Sequence, residues 1–189
     1  MKFTDRVKLS ELCQLSFGQH IQSGTDGSIK YLQVKNFSEE GLFLDNVESF
    51  VEESQVKASS ILNDGDIIFV SKGMKFFAYK YESKIGKSIA SSVFYVLKVN
   101  ENLILPDFLI SVLNHPKSLA YFYGVSAGSS IPSIRKRELM DFEFNLPLLQ
   151  EQKKITNIYE CHQKEMNLLS KIKEDKQLIF NQLIYNLIK

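Results

Sequence analysis

The sequence lacks a net charge large enough to indicate a polyanionic partner by itself. Lys and Arg together number 23 and Asp and Glu number 22 in 189 residues, which gives a formal net charge of +1. A protein that coats DNA without regard to sequence draws its affinity from positive charge, so this balance argues against such a protein. Hydrophobic residues make up 44% of the chain and charged residues 24%, which is typical of a globular protein and not of a disordered one.

The sequence also lacks long apolar runs and closely spaced cysteines. No stretch of about 18 apolar residues is present, so we expect no membrane span. The segment Met1–Arg6 is polar and lacks the apolar core of a signal peptide. Cys13 and Cys161 lie far apart without CxxC spacing, which favours reduced thiols and a cytoplasmic protein.

Recognisable catalytic signatures are missing as well. The phosphate-binding pattern G-x-x-x-x-G-K-S/T does not occur, and neither does the Asn/Asp-Pro-Pro-Tyr/Phe loop that a DNA methyltransferase would need. His20, His115 and His162 have no Cys, Asp or His at ligand spacing, so we expect neither a metal site nor a catalytic triad. The chain is therefore expected to be non-catalytic and to hold no cofactor of its own.

Two regions of the chain differ in composition. Residues 1–147 mix β-rich runs, turns and short helical patterns, whereas residues 148–189 contain neither Gly nor Pro. We place the boundary at Leu146-Pro147, because Pro fits the first turn of a helix. Strands and helices do not alternate regularly before the boundary, which argues against a doubly wound nucleotide-binding fold. The sequence therefore predicts an α+β domain with a largely antiparallel sheet over residues 1–147, followed by a helical segment over 148–189.

Several segments of the first region have the composition of strands or short helices. The strand candidates are rich in β-branched and aromatic residues. They are Ile29–Phe37, Ile67–Val70 after a turn at Asn63–Asp66, Met74–Tyr81, Ser91–Val99 and Phe142–Phe144. Short helices are predicted at Asp107–Asn114 and Lys117–Tyr123, each with a proline directly before it.

Apolar residues recur at helical spacing in residues 148–189. With Ile155 at position a of a heptad, six of the ten a and d positions up to Asn186 are aliphatic. A single helix cannot bury such a stripe against itself, so it either folds back on the globular domain or pairs with another long helix. We favour pairing as a coiled coil, and the residues predicted to carry it are Ile158, Leu169, Ile172, Ile179 and Leu183.

Charged residues are segregated along the chain although their total is balanced. Between residues 38 and 66, eight acidic residues are present with Lys57 alone, and between 67 and 98, six lysines are present with Glu82 alone. A third basic cluster, Arg135-Lys136-Arg137, follows a run of small residues. This distribution predicts either one basic face that meets DNA phosphates or ordinary solvated strand faces and loop tips.

The order of these segments resembles that of the specificity subunits of Type I restriction–modification enzymes. The resemblance rests on segments that span nearly the whole chain. They are residues 31–36, residues 62–69 with Gly73, Gly128-Ser129-Ser130 with Ile134, and FNLPLLQEQKKI at 144–155. The last is the most specific, since it is similar to the family's LPPL-x-EQ-x-x-I signature before a long helix. Leu148 departs from the pattern, because a second Pro is common there.

The resemblance implies a DNA target-recognition domain followed by a helical spacer. In the family, two such units usually share one chain, and their antiparallel spacer helices set the distance between two half-sites. Modification subunits bring S-adenosylmethionine and the methylation chemistry, and a restriction subunit that uses ATP and Mg²⁺ can join them. The single unit here is either a half-subunit that forms a homodimer or one half of a longer chain. A twofold dimer would predict a palindromic, interrupted target.

We expect two groups of DNA-contacting residues on the recognition domain. Basic side chains neutralise phosphates, while amides and hydroxyls discriminate base edges. The predicted phosphate contacts are Lys72, Lys75, Lys84, Lys87, Arg135 and Lys136. The predicted base or loop contacts are Gln33, Lys35, Asn36, Ser129 and Ser130.

Two other functions remain open on the sequence alone. Asp66, followed by Glu82 and Lys84, matches the layout in which two carboxylates hold Mg²⁺ and a lysine helps to activate water in a restriction-type nuclease. The turn before the next strand explains Asp66 better. The second alternative is a coiled-coil interaction module that does not bind DNA. A nuclease would nick DNA with Mg²⁺ and lose this activity on Asp66→Ala, whereas an interaction module would ignore DNA.

Overall fold

The computed structural model describes residues 3–38, 41–126 and 130–188. The strands in these residues are β1 (Phe3–Lys8), β2 (Cys13–Phe17), β3 (Ile29–Leu32), β4 (Phe50–Val51), β5 (Ile67–Val70), β6 (Ala78–Lys80), β7 (Ser88–Ala90), β8 (Phe94–Val99) and β9 (Glu143–Pro147). The α-helices are α1 (Pro106–Leu113), α2 (Pro116–Val125), α3 (Lys136–Met140) and α4 (Leu149–Leu187).

The strands form three sheets around one main core. The central sheet has the order β2-β8-β5-β6, and all its pairs are antiparallel. Strand β1 pairs antiparallel with β9, and β3 pairs antiparallel with β4 and parallel with β7. The predicted α+β class with a largely antiparallel sheet is therefore confirmed, and β3–β7 is the one parallel pair among the named strands of the described residues.

Strand β5 lies at the centre of the core. All four of its side chains are fully buried, as expected for a continuous β-branched and aromatic run after a turn. The ring of Phe69 in β5 meets that of Phe122 in α2 at a centroid distance of 5.0 Å. The predicted helices before and after residue 115 are confirmed as α1 and α2, each with proline at its first position.

Three predicted strands are shorter than expected because their ends enter turns. The prediction that Ile29–Phe37 is one strand is wrong after Leu32. The chain turns there, and the Gln33 N–H donates to Asn36 Oδ1 over 2.8 Å. Strand β8 begins at Phe94 because the N–H of Phe94 closes a turn onto the Ser91 carbonyl over 2.9 Å. The run predicted at Met74–Tyr81 contains only the three residues of β6, and the sequence prediction missed β1, β2, β4, β7 and α3.

In the described residues, helix α4 packs against the domain mainly through its first turns. Gln152 and Thr156 are buried, and Ile155 packs against the core. From Cys161 to Ile188 every described side chain is exposed except the half-buried Gln163. The predicted division at residues 147 and 148 falls between β9 and α4, and it remains a prediction about folding units. No helix in the described ranges combines the length and apolarity that crossing a membrane requires.

The two thiols are expected to differ strongly in reactivity, because the thiolate is the attacking form. Burial raises the pKa of Cys13 in β2 to about 12, and its Sγ lies 3.4 Å from the Leu9 carbonyl oxygen. Cys161 is exposed on α4. Titration of the native protein at pH 8 with a chromogenic disulfide should therefore modify one thiol per chain quickly. The second should react only after denaturation, and rapid modification of both in the native state would contradict the buried position of Cys13.

Candidate nucleic-acid interface

Four surface segments of the domain are joined by a row of backbone hydrogen bonds. The Ser91 N–H donates to the Leu32 carbonyl over 2.9 Å, and the Ser71 N–H donates to the Val93 carbonyl over 2.9 Å. The Ile134 N–H then donates to the Ser71 carbonyl over 2.8 Å. The row brings together the turn after β3, the turn before β8, the segment after β5 and the segment before α3. These segments include many of the residues that the sequence singled out.

The last two segments pair with each other as a short ladder, which we call the paired-loop surface (residues 71–75 and 130–136). Lys72 and Ser133 form an antiparallel bridge, and the Gly73 N–H donates to the Pro132 carbonyl over 3.0 Å. Gly73 has a φ of 136°, a left-handed conformation that residues with a side chain rarely adopt. The pairing gives two connecting segments one fixed geometry, which a recognition surface requires.

The paired-loop surface is held to the core from beneath. The Tyr95 hydroxyl in β8 donates to the Ile134 carbonyl over 2.8 Å, and burial raises the pKa of that tyrosine. Ile134 itself is buried, and the Arg135 N–H donates to Glu138 Oε2 over 2.6 Å at the start of α3. The basic residues that follow Ile134 are therefore carried by an anchored backbone.

Three cations of this surface have no acidic partner in the described part of the chain. Lys72, Arg135 and Lys136 are exposed, and no acidic side chain within the described ranges forms an ion pair with them. Arg137, by contrast, places its Nε 3.2 Å from Asp141 Oδ2. Lys75 is half-buried on the same surface. Four of the six predicted phosphate contacts therefore lie together on one small area.

The other two predicted phosphate contacts, Lys84 and Lys87, do not belong to this surface. Lys84 forms an ion pair with Glu82, and Lys87 forms one with Glu53. Lys80 also has an acidic partner, Asp107. The expectation that the lysines of residues 67–98 form one basic face is therefore not supported, because these three charges are compensated locally.

Of the three predicted base-reading residues after β3, one is buried and two are accessible. Asn36 is fully buried, and its amide accepts from the Gln33 N–H and donates to Asn46 O and Oδ1 over 3.2 and 3.4 Å. Asn36 is therefore a structural residue and not a base contact in this conformation. Gln33 is half-buried and accepts a hydrogen bond from the Ser49 hydroxyl over 3.1 Å, which leaves its amide NH₂ as a donor. Lys35 is exposed.

The predicted serine contacts lie at the start of the segment before α3. Ser130 is exposed and begins the described part of the paired-loop surface. Ser129 lies outside the described residues.

Sequence reasoning missed two apolar residues on the paired-loop surface. Met74 and Ile131 each lie two residues from the Lys72–Ser133 bridge, one on each of the two segments. Met74 is 79% exposed and Ile131 51% exposed. The only signal in the sequence was Lys72-Gly73-Met74-Lys75 directly after a strand, which is equally typical of a turn.

Asp66 takes the role of a turn residue. Its Oδ2 accepts from the Asn63 N–H over 2.9 Å, and burial raises the pKa of its carboxyl. Glu82 and Lys84 line a cleft of about 710 Å³ beside the start of α4, and Asp66 is not among the residues that line it. No group of three or more His, Cys, Asp or Glu in the described ranges is placed to hold a metal ion. These contacts favour the turn explanation that the sequence already indicates.

The distal part of α4 presents a long apolar face with no covering within the described part of the chain. Each predicted pairing residue is at least half exposed: Ile158 (72%), Leu169 (51%), Ile172 (50%), Ile179 (62%) and Leu183 (56%). At about 100° per residue these side chains lie on one side of the helix. Gln152 and Thr156, which face the domain, lie on a different side. The stripe therefore does not fold back on the domain.

The family model for the Type I restriction modification DNA specificity domain matches residues 3–178. A chain from a structure of complex assembly and conformational transition of the type I R-M system aligns with a TM-score of 0.65 and 16% identity, over 95% of this chain and 43% of that one. The HsdS subunit from Thermoanaerobacter tengcongensis aligns with a TM-score of 0.65 and 16% identity, over 92% of this chain and 45% of that one. The Type-I restriction-modification system S subunit from M. genitalium aligns with a TM-score of 0.59 and 15% identity, over 90% of this chain and 41% of that one.

These structural likenesses are of fold, since the identities are low. The chain spans less than half the length of each of the three aligned chains. Comparison with curated proteins gave no match.

Proposed function

Because this chain belongs to the family of Type I restriction modification DNA specificity domains, we propose that it selects the DNA target of a Type I restriction–modification complex through the paired-loop surface. One observation carries the proposal. Three cations that have no acidic partner among the described residues lie where two loops pair with each other, in a chain whose total charge is nearly balanced. Three other lysines of the domain, Lys80, Lys84 and Lys87, are compensated by acidic neighbours, which disfavours DNA binding through their part of the surface.

The composition of the paired-loop surface suits sequence recognition better than charge alone would. Lys72, Arg135 and Lys136 meet phosphates and fix the register on the duplex. Ser130 on this surface and the amide of Gln33 in the turn after β3 offer donors to base edges, and Met74 offers an apolar contact of the kind that thymine methyl groups accept. A two-stranded unit of this size fits the major groove, which is about 12 Å wide.

The chain contributes recognition, and the chemistry belongs to its partners. We propose that modification subunits supply S-adenosylmethionine and methyl transfer, and that a restriction subunit with ATP and Mg²⁺ can join them. Family membership supports this division of labour, since the family is one of specificity domains. We propose no catalytic residue in this chain.

The exposed stripe of α4 supports the proposal that a second long helix packs against it. We propose that a second copy supplies it in an antiparallel homodimer, so that two identical recognition domains face two half-sites. The target would then be palindromic and interrupted. In a longer chain, the equivalent helix of a second unit would take the same place, and the two half-sites would differ.

Selection from a random duplex pool tests the proposal. The chain, assembled with its modification subunits, should enrich an interrupted motif from duplexes with a random central segment at near-physiological salt. Modification subunits alone serve as the control and should enrich no such motif. Enrichment of the same motif without the chain, or of none with it, would contradict the proposed function.

A further inference from the structure

Gln152 makes three hydrogen bonds at the junction between α4 and the domain. It is fully buried in the first turns of the helix, and both the oxygen and the nitrogen of its amide are used. Its Oε1 accepts from the Leu105 N–H over 2.9 Å, and its Nε2 donates to the Leu103 and Pro147 carbonyls over 3.0 and 2.9 Å. One side chain thus joins the end of β9, the start of α4 and the loop before α1.

The other contacts of these turns constrain the helix less. Tyr159 is half-buried and also forms a side-chain hydrogen bond to the domain, with Asn114 at the end of α1. Ile155 packs against the core through non-directional apolar contact. Glu151 and Lys154 pair with each other along the helix. Hydrogen bonds weaken steeply when their angles open, so three of them on one amide restrict both tilt and rotation of α4.

A small change of tilt at this point has a large effect at the far end of the helix. From Gln152 to Leu183 the helix rises about 46 Å, so a tilt of about 10° would move Leu183 by about 8 Å. Successive bases of one DNA strand are about 3.4 Å apart along the axis, so this movement exceeds the rise of two base pairs.

We propose that Gln152 is a positioning residue that fixes the angle between the recognition domain and α4, and thereby sets the number of base pairs between the two half-sites. The proposal rests on the proposed function, since it concerns a target read in two parts. Gln152 touches no DNA, and its role is to hold the frame in which the paired-loop surface is presented.

The test uses Gln152→Met, which keeps the length of the side chain but makes none of the three hydrogen bonds. Gln152→Glu is the second variant, since it keeps the acceptor for the Leu105 N–H but turns an oxygen toward two carbonyls. Gln150→Met is the matched control, because Gln150 is exposed in the first turn of the same helix. Each variant is assembled with the modification subunits and bound to duplexes that share their half-sites but differ in spacer length by one or two base pairs.

The wild type and Gln150→Met should bind the duplex with one spacer length at least about tenfold more tightly than duplexes whose spacer is one or two base pairs longer or shorter. A loss of this size is similar to that caused by one mismatched base pair in a recognition site. In Gln152→Met this preference should fall to about twofold, with an intermediate value for Gln152→Glu. The preferred half-site sequence should stay the same in all of them. An equally sharp preference for the same spacer in Gln152→Met would overturn the proposal.

A distance measurement separates this inference from the proposed function. Spin labels at the exposed Cys161 and at Gln14→Cys in β2 report the angle of α4 relative to the domain. The distance distribution should be narrow in the wild type and broad in Gln152→Met, and an unchanged distribution would overturn the positioning role alone. A wild-type complex that binds no duplex would overturn the proposed function and the spacing claim with it.

Discussion

Reversal of the charges at Arg135 and Lys136 should weaken binding of the assembled complex to every duplex by about 100-fold, since hydrogen bonds to charged groups contribute about 1.5–3 kcal/mol each. Both side chains are exposed beside the Lys72 bridge and have no acidic partner within the described ranges. The slope of log affinity against log salt should become shallower by about one for each phosphate that the protein no longer neutralises. Titration of Arg135→Glu/Lys136→Glu by fluorescence anisotropy at several salt concentrations measures both effects.

Lys84→Glu/Lys87→Glu is the matched control for that experiment. It changes the total charge by the same amount, but both lysines are already compensated by Glu82 and Glu53. Exposed ion pairs contribute about 0–1 kcal/mol, so this variant should fold normally and bind within about threefold of the wild type. Equal losses in the two double variants would show that total charge governs affinity and would remove the special role of the paired-loop surface.

Polar substitution of the α4 stripe should convert a dimer into a monomer. Ile172 and Leu183 are about half exposed in the single chain, and pairing would bury them in both copies. Full burial of such a side chain contributes about 1.5–3 kcal/mol, so Ile172→Asp/Leu183→Asp should raise the dimer dissociation constant by about 1000-fold or more. Light scattering across a concentration series should give the mass of two chains for the wild type and of one for the variant.

Ile172→Asp/Leu183→Asp should also lower the helicity of α4. An isolated helix with all its side chains exposed is marginal in water, because nucleation is costly and tertiary packing supplies most of its stability. Circular dichroism should therefore show lower helicity in Ile172→Asp/Leu183→Asp. The control, Lys171→Asp/Asn181→Asp, alters residues away from the stripe and should keep both mass and helicity. A wild type that is monomeric at all concentrations would contradict the homodimer.

The sequence correctly predicts the strands and helices that are determined by residues next to them in the chain. The turn at Asn63–Asp66 followed by four apolar residues identifies β5, and prolines at the first helical position identify α1 and α2. Strand β1 was missed because its partner, β9, lies at the other end of the domain, where Lys8 pairs with Glu143. A single sequence does not contain that pairing.

The roles of side chains in the candidate site also depend on contacts between residues that are distant in the sequence. A base-reading role for Asn36 follows from its residue type, but its burial depends on Asn46 and on a turn that the strand pattern concealed. The charge of Lys87 is compensated by Glu53, which lies in the acidic segment that the sequence sets apart. Proximity in space, and not charge along the chain, decides which cations remain for DNA.

The motif before the long helix can be recognised in the sequence, but the role of its residues is explained only by their contacts in the folded structure. In FNLPLLQEQKKI, Gln152 is one of five polar residues in a row and has no special property in the sequence. Its partners, Leu103 and Leu105, lie 49 and 47 residues away along the chain. The structure shows that this position is a junction, because the amide binds backbone groups of the loop before α1.

Methylation mapping in cells tests target selection by this chain most directly. The chain and its modification subunits would be expressed in a host that lacks DNA methylation, and modified bases would be located by sequencing the whole genome. We expect methylation at one interrupted motif with the wild-type chain, and loss of that methylation with Arg135→Glu/Lys136→Glu but not with Lys84→Glu/Lys87→Glu. Methylation of the same motif without the chain would contradict the claim that this chain selects the target.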